Sequence, residues 1–168
     1  MTNNIINRVA NSKLIVINLE DYYPHGQRVV LDIKDWLYEE YVLREKEFRQ
    51  QAKSFDWKQY RDCYVALTCS SNAIIPAWAY MLLSTYLAPF SKKTILGDLD
   101  ILETSIYQDI IETLDLSSYK DKSIIIKGCA NKPIPDNAFI LLTTKLKPLV
   151  KSLMYGEACS AVPLYKRK

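Results

Sequence analysis

What this chain has little of narrows it quickly. A single histidine and four glycines stand among 168 residues. There is no G-x-x-x-x-G-K-[ST] and no G-x-G-x-x-G, so the backbone offers no loop to cradle phosphates and no nucleotide is expected. No C-x-x-C pair occurs, which removes the common zinc-ribbon and thioredoxin-like spacings. Excess charge is small: the formal net charge is +3 and the basic residues are not clustered, so nucleic acid is not an expected partner. No apolar run reaches the ~20 residues that span a bilayer. The longest candidate, Ala73 to Phe90, is interrupted by prolines and by Ser84 and Thr85. The start, Met1 to Arg8, lacks the charged, apolar and small-residue segments of a secretory signal. These absences lead to an expectation of a cytoplasmic protein without a membrane partner, its four cysteines reduced rather than paired.

What is present is ordinary for a folded chain: 49% hydrophobic and 24% charged residues, at the length of one domain. Ile5, Ile6 and Val9 have helical spacing, predicting a helix over Asn3–Ala10. Lys13–Leu19 and Arg28–Ile33 are β-rich runs with Tyr22-Tyr23-Pro24-His25-Gly26 between them, predicting a β-hairpin. Leu43 to Phe55 predicts a helix with interleaved charges. Beyond it strands and helices alternate. Cys63–Thr68, Thr94–Gly97, Ser123–Lys127 and Leu153–Tyr155 are expected strands. Helices are expected from Pro76 to Leu87, Leu99–Leu114 and Pro135–Leu146. Strands apolar on both faces, joined through helices, predict an α/β fold with a mainly parallel sheet covered by helices.

The sequence also matches itself at an offset of 59. Ile75-Pro76 falls on Ile134-Pro135, Leu82-Leu83 on Leu141-Leu142, and Gly97 on Gly156. In all, 10 of the 24 positions from Ile75 to Asp98 are identical, against about one or two expected from average residue usage. A tandem duplication merged into one sheet is the expectation. The organisation that follows is a single α/β domain over 1–168. It has a helix, hairpin and helix over 1–55, one repeat over 56–114, a second over 115–160, and a tail over 161–168. Lys166-Arg167-Lys168 is expected to fray into solvent.

The duplication selects candidate site residues. With one inserted residue, Cys69 falls on Cys129, each directly after an expected strand and a few residues before a helix. Asp98 falls on Glu157, each directly after a glycine, and Asp100 falls on Cys159. Open α/β sheets bind ligands outside the carboxyl ends of their strands. The expected site therefore gathers Cys69, Cys129, Cys159, Asp98 and Glu157. Thiolates select zinc or iron–sulfur clusters, so a soft-metal centre is one reading. Thiol or persulfide chemistry is a second, since a helix N-terminus favours thiolate. Small buried groups in tight turns are a third. No base accompanies either thiol in sequence, so a hydrolase triad has no support. Asp98 also fits a helix cap. Cys63 reads as core, and the matching sets Asp56/Tyr60/Asp62 and Asp115/Tyr119/Asp121 read as structural. Trp36, Trp57 and Trp78 read as packing residues, with Trp78 and Tyr80 on the helix after Cys69.

Several runs carry a resemblance: Asn18-Leu19-Glu20-Asp21-Tyr22-Tyr23-Pro24, Tyr64-Val65-Ala66-Leu67-Thr68-Cys69-Ser70, Lys127-Gly128-Cys129, and Gly156-Glu157-Ala158-Cys159. Over essentially its whole length the chain resembles an uncharacterised bacterial family, domain of unknown function 2480. The resemblance implies cysteines at the positions of Cys69, Cys129 and Cys159 and an accessory role beside iron–sulfur assembly proteins. The expected function is binding of a metal or iron–sulfur cluster through these three cysteines, with Asp98 or Glu157 supplying a further ligand or hydrogen bond. The alternatives are a cofactor-free interaction or scaffold protein, possible as a homodimer, and a thiol carrier.

Overall fold

The computed structural model describes residues 14–128 and 131–168. The helix expected over Asn3–Ala10 lies outside the described residues. Among the described residues four α-helices and seven strands follow in the order β1 (Leu14–Asn18), β2 (Arg28–Asp32), α1 (Glu45–Ser54), β3 (Tyr64–Thr68), α2 (Ala77–Leu87), β4 (Lys93–Leu96), α3 (Leu99–Thr113), β5 (Ser123–Lys127), α4 (Asp136–Leu146), β6 (Ser152–Tyr155) and β7 (Val162–Lys166).

The strands form two sheets rather than the single one expected, with orders β2-β3-β4 and β1-β5-β6-β7. All pairs are parallel except β6–β7. Two compact units follow this division: one comprises His25–Ile106, the other the chain up to Pro24 together with Tyr107–Lys168. The expected β-hairpin is corrected by the same pairing. β1 pairs with β5, Leu14 opposite Ser123, while β2 pairs with β3, Arg28 opposite Tyr64. The Pro24–Gly26 turn signal marks where the chain leaves one sheet for the other. Strand runs carry no label for their partners, so adjacency in sequence was misleading.

In the His25–Ile106 unit the central strand β3 buries Val65, Ala66 and Leu67 on both faces, as a parallel strand must. Leu83 and Leu87 of α2 and Phe48 and Ala52 of α1 pack in one cluster with Val65, Leu67 and Trp57. The other unit repeats the arrangement around β5, where Ile124, Ile125 and Ile126 are buried. There Leu142 and Leu146 of α4 join Tyr107 and Ile111 of α3. Each such aliphatic side chain contributes about 1.5–3 kcal/mol by leaving water.

Backbone detail agrees at the 59-residue offset. Pro76 and Pro135 precede the first turns of α2 and α4, and their carbonyls accept from Ala79 N (3.0 Å) and Ala138 N (2.9 Å). Asp62 and Asp121 both have positive φ, 61° and 58°. Asp62 N donates to Phe90 O at 3.0 Å, and Asp121 N to Leu149 O at 2.9 Å. Gly97 and Gly156 end β4 and β6 at φ 145° and 108°, a region that disfavours any side chain. At Gly97 a Cβ would also meet Ile101 at 2.8 Å.

The tail reading is corrected. After β6 the chain turns back as β7, which runs antiparallel along it with an irregularity between Leu153 and Met154. Pro163 sits in this outer strand, a place where its missing N–H is tolerated. Arg167 is tied down by Asp121 and by the carbonyls of Pro148 and Leu149. Proline within the run had hidden a strand that the sheet edge accommodates.

Candidate functional site at the carboxyl edge of the sheets

In the His25–Ile106 unit the ends of β2 and β3 meet at a polar edge built by Asp32, Ser70, Cys69 and Ser71. Asp32 closes β2, and its Oδ1 accepts from Lys34 N (2.9 Å) and Ser70 N (3.1 Å). Burial pushes the Asp32 carboxyl upward, but hydrogen bonds from the Ser70 hydroxyl and from the Lys34 and Ser70 amides outweigh it. The net result holds the group below the ordinary carboxylate value. Cys69 is half-buried against the apolar core, and its Sγ lies 3.2 Å from Ser71 Oγ. Ser71 Oγ in turn accepts from Ala73 N at 3.2 Å. Tyr80 of α2 stands over this edge. Burial does most to push the Tyr80 hydroxyl above its ordinary pKa, and the neighbouring Cys69 and Asp32 push it further in the same direction.

The edge of the other unit is built alike with different groups. Asn18 closes β1 and accepts from Glu20 N at 3.2 Å, as Asp32 accepts from Lys34. Glu20 then accepts from Asn131 N at 2.8 Å. Phe139 takes the place that Tyr80 has in the first unit, its ring 3.3 Å from where a Cβ on Gly128 would stand.

The five expected site residues fare differently. Cys129 lies outside the described residues. Cys69 is at the strand end as expected, but the loop from Cys69 to Pro76 separates it from the first residue of α2, Ala77. The thiol is bonded to Ser71 rather than to a helix terminus. Asp98 is a helix cap: its Oδ1 accepts from Ile101 N at 2.9 Å and its carbonyl from Leu102 N at 3.0 Å. Glu157 is exposed and pairs with Lys127 at 3.2 Å. Cys159 is exposed in the turn between β6 and β7. Cys69 and Asp98 belong to one unit, Glu157 and Cys159 to the other. A zinc ion or cluster needs three or four converging thiolates, imidazoles or carboxylates. Among the described residues no three such side chains are grouped to hold a metal, and the oxygen groups around Cys69 do not fit one.

Other residues follow the sequence reading closely. Cys63 is buried at 5% exposure. Asp56 and Asp115 accept from Lys58 N and Ser117 N, and Tyr60 is buried, a structural role for both sets. Trp36 and Trp57 are core.

Beside the Cys69 loop lies an open groove of about 560 Å³ that sequence reasoning missed. Asn72, Ala73, Ile74 and Trp78 form one wall; Tyr41, Val42 and Glu45 form the other. Ile74 is 95% exposed, Tyr41 63% and Val42 53%. Tyr41 and Val42 are held out by a tight turn closed by Tyr38 N to Val42 O at 2.8 Å. Its central residues Glu39 and Glu40 are both left-handed, φ 49° and 63°. Arg49 lies over the Trp78 ring at 5.0 Å. The sequence held no local signal for this groove, because Tyr41 and Ile74 lie far apart in the chain and periodicity alone does not separate such apolar residues from core.

The fold and edge define a two-unit α/β protein with a thiol-bearing strand end next to an open groove. The chain belongs to the family described as "Protein of unknown function (DUF2480)", which matches it over residues 3–167. No curated protein and no solved structure matches it. No helix among the described residues is long and apolar enough to cross a membrane.

Proposed function

We propose that this protein is an accessory interaction module of the cytoplasm that presents the Cys69 thiol to a docked partner, handling sulfur or a soft metal as cargo. The observation that carries the reading is the placement of Cys69. A half-buried thiol stands at the carboxyl end of a parallel strand, where α/β folds act on ligands, among Asp32, Ser71 and Tyr80. Its loop continues directly into the wall of the groove. The matching hydrogen bonds and elements of the two units support an origin by tandem duplication, after which one edge kept Asp32 and Tyr80 and the other took Asn18 and Phe139. Iron–sulfur assembly proteins are the partners that the family resemblance suggests.

A second reading is a three-cysteine metal or cluster centre of Cys69, Cys129 and Cys159. It is favoured by Cys129 standing one residue beyond Gly128 at the end of β5, the strand that matches β3.

Anaerobic purification with iron, zinc and sulfide analysis, joined to timed alkylation by iodoacetamide, tests both. The proposal expects Cys69 to react in the folded protein while Cys63 stays protected, with bound metal or sulfide well below one per chain. A Cys69 as inert as Cys63 would sink it. Stoichiometric metal that disappears only when all three cysteines are serine would establish the second reading instead.

A further inference from the structure

The same row of side chains is built differently in the two sheets. In the β2-β3-β4 sheet Arg28 lies opposite Tyr64, and Tyr64 opposite Lys93. Val65 packs with α2, so this row faces away from that helix. Protein fills it. α3 lays Glu103 on Arg28, and its Ser105 carbonyl accepts from Lys93 Nζ at 3.0 Å. Arg28 lies over the Tyr64 ring at 4.9 Å, and Lys92 Nζ stands 5.7 Å from the centre of the same ring. The basic groups of this row therefore hold a carboxylate whose side chain is only 10% exposed.

The matching row of the other sheet is Ser123, Ser152 and Lys166, at facing positions of β5, β6 and β7. Ser123 and Ser152 stand 59 residues after Tyr64 and Lys93, and Lys151 stands 59 after Lys92. Ile124 and Leu153 pack with α4, so this row also faces away from its helix. Two changes open it. Serine replaces the ring of Tyr64, and the chain after β6 turns back along the sheet edge as β7 instead of crossing the row as a helix. The result is a depression of about 370 Å³, within the range of small-molecule sites. Lys151, Lys166, Ser123 and Ser152 line it together with Met154 and Pro163. Among the described residues neither ammonium group and neither hydroxyl has a hydrogen-bond or ion-pair partner. Asp121, an acid near the start of β5, is already taken by Arg167.

We infer that this depression binds a small organic acid, its carboxylate held by Lys151 and Lys166 with the Ser123 and Ser152 hydroxyls donating to it. Hydrogen bonds from a cation to a carboxylate are the strong class. The choice of a carboxylate over another anion comes from the matching row, whose basic groups hold one. Met154 and Pro163 supply an apolar floor for a short carbon chain. The depression lies at the opposite end of β5 from Lys127, so it does not rest on the carboxyl-edge reading.

Nuclear magnetic resonance of the full chain, isotopically labelled in its methionine methyl groups, tests this. Glutarate at millimolar concentration should shift the Met154 signal saturably while that of Met81, in α2, stays fixed. Glutaramide, uncharged and of the same shape, and inorganic phosphate at equal ionic strength should each move Met154 far less. Lys151→Gln combined with Lys166→Gln should weaken glutarate binding at least about tenfold. Ser123→Tyr, which puts back the ring of the matching row, should abolish it. A Met154 signal that glutarate leaves in place overturns the proposal. So does one that glutaramide or phosphate moves as much, or one whose response is unchanged in the lysine double variant. If Ser123→Tyr loses its circular dichroism signature of folding, the lysine variant decides, since both its positions are exposed.

Discussion

Arg28 at the start of β2 and Glu103 in α3 form a nearly buried ion pair, their side chains 12% and 10% exposed. Arg28 also donates to Gly26 O at 2.7 Å and lies over the Tyr64 ring at 4.9 Å. One contact thus fastens the first half of α3 to the β2-β3-β4 sheet and fixes the turn that leads into β2. Removing one partner strands the other charge, so Glu103→Ala should destabilise the protein by about 3–5 kcal/mol. Replacing both residues together, with Arg28→Met and Glu103→Leu, should cost much less. Urea denaturation of the three chains checks this. Equal losses in the single and double variants would mean that packing of the stems, not charge, holds the contact.

Asp32 supplies a pH dependence with a definite sign. Its folded value is depressed, so its contribution is present above the ordinary carboxylate value near pH 4 and is lost as pH falls through the folded value. Asn18 does the same capping work in the other unit without a charge. Asp32→Asn should therefore fold normally, be less stable than the parent chain at neutral pH, and converge with it on acidification. Urea midpoints measured from neutral pH downward give the answer. A gap that persists unchanged in acid would make the difference steric.

The turn at Glu39–Glu40 stores strain. Left-handed geometry costs a non-glycine residue roughly 1–2 kcal/mol, and two central residues of positive φ favour Asn-Gly. Changing Glu39→Asn with Glu40→Gly should raise stability by about 1 kcal/mol, after loss of the exposed Lys34–Glu40 pair at 3.1 Å. Calorimetry should show a melting point a few degrees higher, and a lower one would mean that the Glu40 pair outweighs the strain.

The thiols should separate by burial. Cys63, with its Sγ 3.5 Å from Arg61 O, should label only on global unfolding, while exposed Cys159 should label at once and Cys69 between them. Mass spectrometry of peptides after timed alkylation gives the order directly. Cys63 reacting before Cys69 would contradict the packing described for both.

Much of this architecture was legible because local chemistry repeats. The prolines at 76 and 135, the glycines at 97 and 156, and the aspartates at 62 and 121 fall at matching boundaries in both halves; the structure gives the prolines and the aspartates nearly equal backbone angles and both glycines a positive φ. Strand partnership was not legible. β1 and β2 are apolar runs on either side of a turn, and nothing in either distinguishes a hairpin partner from a parallel neighbour far along the chain. β7 was hidden by Pro163, a residue that a sheet edge tolerates and a central strand does not. At the site, the cap at Asp98 and the buried Cys63 followed from local pattern. The assignment of Cys69 and Cys159 to different units did not, because it depends on which sheet each strand joins.

The His25–Ile106 unit is inserted between β1 and the strand that β1 pairs with. A ribosome therefore delivers the whole inserted unit before β5 exists. At about 5–20 residues per second, β1 waits roughly 5–20 seconds for its neighbour. During that interval an apolar strand sits near the tunnel mouth or in the hands of a chaperone, while the inserted unit can already close around β3. Vectorial synthesis thus favours the β2-β3-β4 sheet first and leaves β1 to pair only once β5 has been made.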